Sequence, residues 1–410
     1  MEGTSVTPGS MRLRGLLREA VPLLAAATMG CGGGDLSGPE PPGEPPTDAG
    51  VQPSEGCSEG TLAHGALFRV CFPASWNGDL VLYAHGYVAP NQPLALPDDQ
   101  AGGQSVSGTT TGLGYAFATT SYRANGLVVP EAVADLVELQ DTIEQRYRPD
   151  PARTLIVGFS EGGLVATLAA EREPARFAGA LAGCGPVGSF RAQLDYIGDF
   201  RVVFDYFFPG VLPGTVVDVP ASVQSGWTSV YVPAILVALA LDPTAARQLI
   251  AVTGASVASD DIAAIAETTI GLLWYNVFGT ADARARLGGQ PFDNTGRTYA
   301  GSSDDTALNA GVARYQADPA ALASLAGFET TGELEVPVVT IHTTGDPVIP
   351  FQQEALYAEK VGQLGAGAML SQIAVARAGH CTFQGPEVLS AFASLRQRIG
   401  TGPAAMVSRP

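Results

Sequence analysis

Apolar positions change period several times along the chain, and the changes divide it. Short apolar runs from Leu62 to Phe72 and from Asp79 to Ala84 predict strands, the second ending in Tyr83-Ala84 ahead of His85-Gly86. A stretch rich in Gly, Pro, Ser and Thr from Val88 to Gly114 predicts a loop, and Tyr115 to Ser121 a strand. Over Glu131 to Tyr147 the residues Val133, Leu136, Val137, Gln140 and Ile143 recur near helical spacing. The β-branched run ending at Val157 reads as a buried parallel strand, followed by a small-residue helix over Gly162 to Glu173 and a strand over Phe177 to Cys184. From Gly185-Pro186 to about Glu335 the strand signal disappears and the chain becomes helical and apolar. The alternation resumes with strands over Val336 to Thr343 and Leu370 to Ala376 and helices over Phe351 to Gln363 and Pro386 to Ile399. Strands alternating with helices predict an α/β fold, a mostly parallel sheet covered on both faces, with residues 186–335 as a helical insertion over one edge.

The N-terminus follows different rules. Arg12, Arg14 and Arg18 precede a ten-residue apolar stretch, Ala20 to Met29, which is too short to span a bilayer and reads as the core of an export signal. It ends Thr28-Met29-Gly30-Cys31, which resembles a bacterial lipobox, so the signal within residues 1–31 is expected to be cut before Cys31, which becomes the lipidated first mature residue. A plain signal peptide cut nearby is the alternative. Residues 32–56 are Gly, Pro and acid without Lys or Arg, an extended tether that would hold a folded domain off a membrane surface.

Composition narrows the function classes. The 410 residues carry 22 Lys+Arg against 40 Asp+Glu, a formal charge of −18, and Lys360 is the one lysine. An acidic chain with no basic stripe is a poor partner for phosphate backbones, so no nucleic-acid role is expected. Hydrophobic residues reach 46%, too many for a disordered protein. Four cysteines remain beyond the signal: Cys57, Cys71, Cys184 and Cys381. In an exported chain they favour disulfides, with three connectivities open and Cys57–Cys71 favoured as a local staple. The four histidines, His64, His85, His342 and His380, are scattered without metal-ligand spacing, so neither a metal nor another cofactor is expected.

Gly158-Phe159-Ser160-Glu161-Gly162 matches G-x-S-x-G, and so does Gly56-Cys57-Ser58-Glu59-Gly60. Context separates them. Ser160 sits between a predicted strand and a predicted helix, the strand–turn–helix of a nucleophile elbow, whereas Ser58 follows the Pro-rich tether. Thr344-Gly345-Asp346-Pro347 follows a later buried strand, and Ala378-Gly379-His380-Cys381 follows the last one.

On these motifs the chain resembles the α/β-hydrolase superfamily, serine carboxylesterase/lipase-like with a helical cap, over roughly residues 60–185 and 336–400. The resemblance implies an α/β-hydrolase core over 57–185 and 336–410 with a cap at 186–335. It implies Ser160 as nucleophile, Asp346 as acid and His380 as base, with Asp195, Asp199 and Asp205 the alternative acids. The oxyanion would meet the backbone N–H groups of Glu161 and Tyr87, supported by His85 and Gly86. Because this fold brings the strand ends at Cys184 and Cys381 to one rim, it also implies a Cys184–Cys381 bridge pinning the histidine loop. His342 reads as a core or near-site histidine, and the Glu161 side chain as solvated.

Aromatic residues crowd the insertion, among them Phe190, Tyr196, Trp227, Trp274, Tyr275 and Phe278. They favour an apolar acyl or aryl group on a small-molecule or lipid-like ester, cleaved by an exported enzyme anchored to the envelope through Cys31. A serine peptidase of the prolyl-oligopeptidase type is the first rival, in an aminopeptidase form with cap carboxylates (Asp199, Asp205, Asp260 and Asp261) for a free amine. A non-catalytic surface binder is the second.

Overall fold

The computed structural model describes residues 52–98, 100–148 and 150–401. The export signal, Cys31 and the tether up to residue 51 lie outside the described residues.

Eight strands form the main sheet: β1 (Gly56–Thr61), β2 (Leu67–Phe72), β3 (Asp79–Ala84), β4 (Ala116–Thr120), β5 (Arg153–Phe159), β6 (Gly179–Gly183), β7 (Val338–Gly345) and β8 (Leu370–Ala378). Their order across the sheet is β1-β2-β4-β3-β5-β6-β7-β8. Strand β2 runs antiparallel to both its neighbours, and every pairing from β4 to β8 is parallel. This is the α/β-hydrolase fold. The central strands β3 and β6 are buried along their whole length, and β5 over all but its first residue, as a sheet covered on both faces requires.

Among the described residues, twelve α-helices accompany it: α1 (Val106–Gly112), α2 (Val129–Arg146), α3 (Glu161–Arg172), α4 (Phe190–Phe207), α5 (Ala221–Ser225), α6 (Val232–Leu241), α7 (Pro243–Thr253), α8 (Ile262–Leu287), α9 (Asp305–Gly311), α10 (Pro319–Ser324), α11 (Gln352–Gln363) and α12 (Gly385–Thr401). Helices α2 and α3 share one apolar cluster with the sheet through Leu136, Leu139, Leu164 and Leu168. A second cluster, with Tyr83, Val157, Ile341 and Leu395, joins the sheet to α12. A third belongs to the insertion itself, where Phe200, Phe204, Leu272 and Val277 pack α4 against α8. Arg201 is fully buried there, held by Asp205, Asn276 and the Leu212 carbonyl.

The structure differs from the sequence reading near the N-terminal edge. The strand expected from Leu62 to Phe72 is the second arm of a hairpin whose turn closes through Leu62 N–H to Ala66 O at 2.8 Å. Its first arm, β1, starts at Gly56 inside the segment read as tether. Its sequence, Gly-Cys-Ser-Glu-Gly-Thr, gives no apolar alternation, because an edge strand is held by backbone pairing to β2 and by the Cys57–Cys71 disulfide. Ser58 therefore sits in a strand, hydrogen-bonded to Tyr147 at 2.8 Å. The segment read as one loop from Val88 to Gly114 also holds a two-residue hairpin (Gln100–Ala101 with Gln104–Ser105) and helix α1, capped by Ser105.

Candidate active site

Ser160 stands at the joint between β5 and α3 with φ 59° and ψ −128°, a conformation that costs a non-glycine residue energy and lifts its hydroxyl above the sheet. The flanking glycines make the joint possible. A Cβ at Gly158 would fall on the Gly162 carbonyl, and one at Gly162 would overlap the Ala84 carbonyl and lie 2.7 Å from that of His85. The turn is fastened by Ser160 N–H to Gly183 O at 2.8 Å.

His380 reaches Ser160 from the loop after β8. Its Nε2 lies 2.9 Å from Ser160 Oγ and its Nδ1 2.7 Å from Asp346 Oδ2. The tautomer with its proton on Nδ1 satisfies both bonds, donating to Asp346 and accepting from the serine. The loop is braced by Thr343 Oγ1–H to Gly379 O at 2.7 Å and by a disulfide from Cys381 to Cys184 at the end of β6. Both bridged cysteines sit at positive φ, 42° and 52°.

Asp346, 1% exposed, follows β7. Its Oδ1 accepts the backbone N–H groups of Val348 at 2.9 Å and Ile349 at 3.0 Å. Burial alone would raise its pKa. The His380 charge, with hydrogen bonds from His342, His380 and the Ile349 backbone, instead holds it down at about 2, so the carboxylate stays ionised. Behind it lies a pair that the sequence did not single out as functional. His342 Nε2 is 3.5 Å from Asp346 Oδ2 and 3.0 Å from Ile349 O, and its Nδ1 is 3.1 Å from Glu354 Oε1. Glu354 also accepts from Thr340 and from Gln372. Burial would lower the His342 pKa, but the two carboxylates outweigh it and raise it to about 9. The i, i+4 spacing of His342 and Asp346 across a strand end was the available signal.

The loop His85-Gly86-Tyr87 passes over the elbow. A Cβ on Gly86 would lie 3.4 Å from Ser160 Cβ, so the loop backbone runs beside the nucleophilic oxygen. His85 stacks on Tyr122 at 3.9 Å, and Tyr122 donates to the His85 carbonyl at 3.1 Å, which fixes the loop from below. The backbone N–H groups of Tyr87 and Glu161 have no hydrogen-bond partner among the described residues.

Ser160 opens into a cavity of about 870 Å³, its mouth included, between the sheet edge and the insertion. Ile197, Val216, Phe292 and Ile349 are among its walls. The alternative acids are elsewhere. Asp195 pairs with Arg297, Asp199 with Arg297 and the Tyr299 hydroxyl, and Asp205 with Arg201; none lines the cavity. The Glu161 side chain, read as solvated, is instead buried, 6% exposed, and faces the cavity. His64 lies far from this centre, on Glu138.

Residues 106–196 match the prolyl oligopeptidase family, Peptidase_S9. No curated protein sequence matches the chain. Among solved structures, the esterase Pf2001 of Pyrococcus furiosus is similar at 12% identity, with 84% of this chain and 90% of that chain covered and a TM-score of 0.46. Mouse alpha/beta hydrolase domain-containing protein 10 is similar at 11% identity, covering 84% and 98%, TM-score 0.43. The Pyrococcus horikoshii acylaminoacyl peptidase is similar at 10% identity and TM-score 0.39; 84% of this chain is covered but only 39% of the peptidase. The fold assignment rests on strand order and elbow geometry rather than on these overlaps. With that fold, and with the family match running through the Ser160 elbow, the chain is a serine hydrolase of the α/β-hydrolase type.

Proposed function

We propose that the chain is an exported carboxylic ester hydrolase that works through an acyl-enzyme on Ser160. The observation that carries this reading is the unbroken line Asp346–His380–Ser160 opening into an apolar cavity. Ser160 Oγ attacks the ester carbonyl while its proton passes to His380 Nε2. Asp346, ionised, holds the imidazole and stabilises its cation. The tetrahedral oxygen takes the N–H groups of Glu161 and Tyr87. Collapse breaks the carbonyl–alkoxy bond, and the departing alkoxide leaves with the proton from His380. Water then attacks the acyl group, giving its proton to His380, and the carboxylic acid leaves as Ser160 recovers its hydrogen.

The cap carboxylates favour ester over free-amine peptide substrates. Asp199 and Asp205 are committed to ion pairs, Asp261 caps α8, and Asp260 is exposed, so none of the four is presented to the cavity. The motif at Cys31 and the acidic tether support a lipid-anchored enzyme held off the envelope surface.

A panel of 4-nitrophenyl esters of increasing chain length beside amino-acid 4-nitroanilides tests the reading. Ester turnover lost in Ser160→Ala is expected. Anilide turnover without ester turnover assigns the peptidase instead, and no turnover with no fluorophosphonate labelling of Ser160 leaves the binder.

A further inference from the structure

The cavity is apolar except at a few atoms, and three of those have no work inside the protein. Glu161 is the one carboxyl among the lining residues, and its side chain has no hydrogen-bond partner among the described residues. The Tyr275 hydroxyl, on α8, is likewise without one. Gln193 Oε1, on α4, is buried and unpartnered, while its Nε2 donates to Val348 O at 2.7 Å. A buried polar atom is ordinarily satisfied, so the orphaned Gln193 Oε1, in a cavity that also holds the Glu161 carboxyl and the Tyr275 hydroxyl, marks where a ligand completes the bonding.

We propose that Glu161, Tyr275 and Gln193 form a polar subsite beside Ser160 that takes an uncharged hydroxyl carried by the substrate a few atoms from the scissile carbonyl. The proposal rests on the ester-hydrolase reading and names its substrate class. Position follows from the chain and the cavity: Glu161 directly follows the nucleophile, and Gln193 and Tyr275 line the same cavity as Ser160. The Tyr275 ring meets the Tyr87 ring at 6.2 Å in a tilted contact, closing the same corner. Chemistry follows from the donor and acceptor inventory. Gln193 Oε1 can only accept, Tyr275 can donate, and a hydroxyl supplies one donor and two acceptor lone pairs.

An ammonium is the competing occupant, and the surroundings disfavour it. Burial, with the Asp282 charge adding to it, pushes the Glu161 carboxyl well up from its ordinary range, and Asp282 is itself neutralised by Arg286 at 2.9 Å. The ionised form of Glu161 is therefore disfavoured. Drawing an ammonium into this cavity would require creating a buried ion pair with no second carboxylate to help.

Matched esters test the subsite: butyrate against 3-hydroxybutyrate and 3-aminobutyrate as 4-nitrophenyl esters, and ethyl against 2-hydroxyethyl butyrate. Wild-type kcat/KM is expected to favour the hydroxylated member of at least one pair by roughly tenfold or more, the size expected when a buried polar group is otherwise left unpaired. That ratio should fall towards one in Glu161→Leu, fall partly in Tyr275→Phe and be largely retained in Glu161→Gln. Tyr275→Phe removes a single oxygen, so it serves if Glu161→Leu does not fold. Plain esters turned over with no hydroxyl preference in either pair, an unchanged ratio in both variants, or a preference for 3-aminobutyrate overturns the subsite and leaves ester hydrolysis standing. No ester turned over overturns both.

Discussion

His342 lies 3.5 Å from Asp346, on the same carboxylate oxygen that receives the His380 N–H. Two imidazoles thus converge on one acid, and the rear one is anchored by Glu354. The rear imidazole ties protein stability to alkaline pH. Its folded pKa of about 9 stands above its unfolded value near 6.5, so its stabilising contribution is complete below about 6.5 and is lost as pH rises through about 9. That difference corresponds to something on the order of 3 kcal/mol. Thermal unfolding from pH 6 to pH 10 should show wild type losing more stability than His342→Gln, whose curve over that range is flatter. Parallel curves would remove His342 from the account.

The elbow predicts a backbone effect rather than a chemical one. Alanine at Gly158 or Gly162 places a methyl on a main-chain carbonyl, of Gly162 in the first case and Ala84 in the second. Neither carbonyl can swing aside: Ala84 pairs with Gly158 across β3 and β5, and Gly162 lies in the first turn of α3. Each variant should be destabilised by about 1–3 kcal/mol or more, with activity falling further than stability because Ser160 moves. Chemical denaturation and initial rates, measured on the same preparation, check both parts. A fully active Gly158→Ala contradicts the described turn.

The core was legible because its elements advertise themselves. Thr154 to Phe159 is continuously buried and reads as such in its side chains, and the motif positions after β5, β7 and β8 follow from strand ends. The edge was not. Strand β1 has exposed or half-buried residues throughout, and its pairing and disulfide are backbone and covalent facts that leave no hydrophobic period. Glu161 was misjudged for a related reason. A glutamate after a nucleophile gives no local sign of burial, and the cavity it faces is closed by residues distant in sequence, Tyr275 on α8 among them. His342 and Glu354 are likewise joined only by folding β7 against α11.

The acid can be identified against its rivals by single amides. Asp346→Asn keeps the shape but allows the side chain to donate to His380, favouring the tautomer that cannot accept the Ser160 proton. Turnover should drop by at least ~10³-fold, with KM little changed. Asp199→Asn and Asp205→Asn loosen ion pairs with Arg297 and Arg201 in the insertion and should change kcat by less than about tenfold. Steady-state kinetics of the three variants on one ester decides the matter, and a larger loss at Asp199 or Asp205 would move the acid there.

The Cys184–Cys381 disulfide joins the end of β6 to the residue after the base, and Cys381 Sγ lies 3.7 Å from His380 Nε2. It closes a loop that contains the whole insertion, so its removal should cost stability, about 2–5 kcal/mol. Its catalytic effect is separate and local. With the tie gone, only hydrogen bonds such as Thr343 Oγ1–H to Gly379 O and Gly379 N–H to Gly345 O brace the loop, and His380 spends less time in line with Ser160. The double variant Cys184→Ala/Cys381→Ala, assayed well below its unfolding midpoint, should lose about tenfold in kcat with KM nearly unchanged. Cys57→Ala/Cys71→Ala should lose stability alone, because that bridge staples β1 to β2 at the far edge of the sheet. Equal kcat losses in both double variants would show that the effect at Cys381 is general loosening rather than control of the histidine loop.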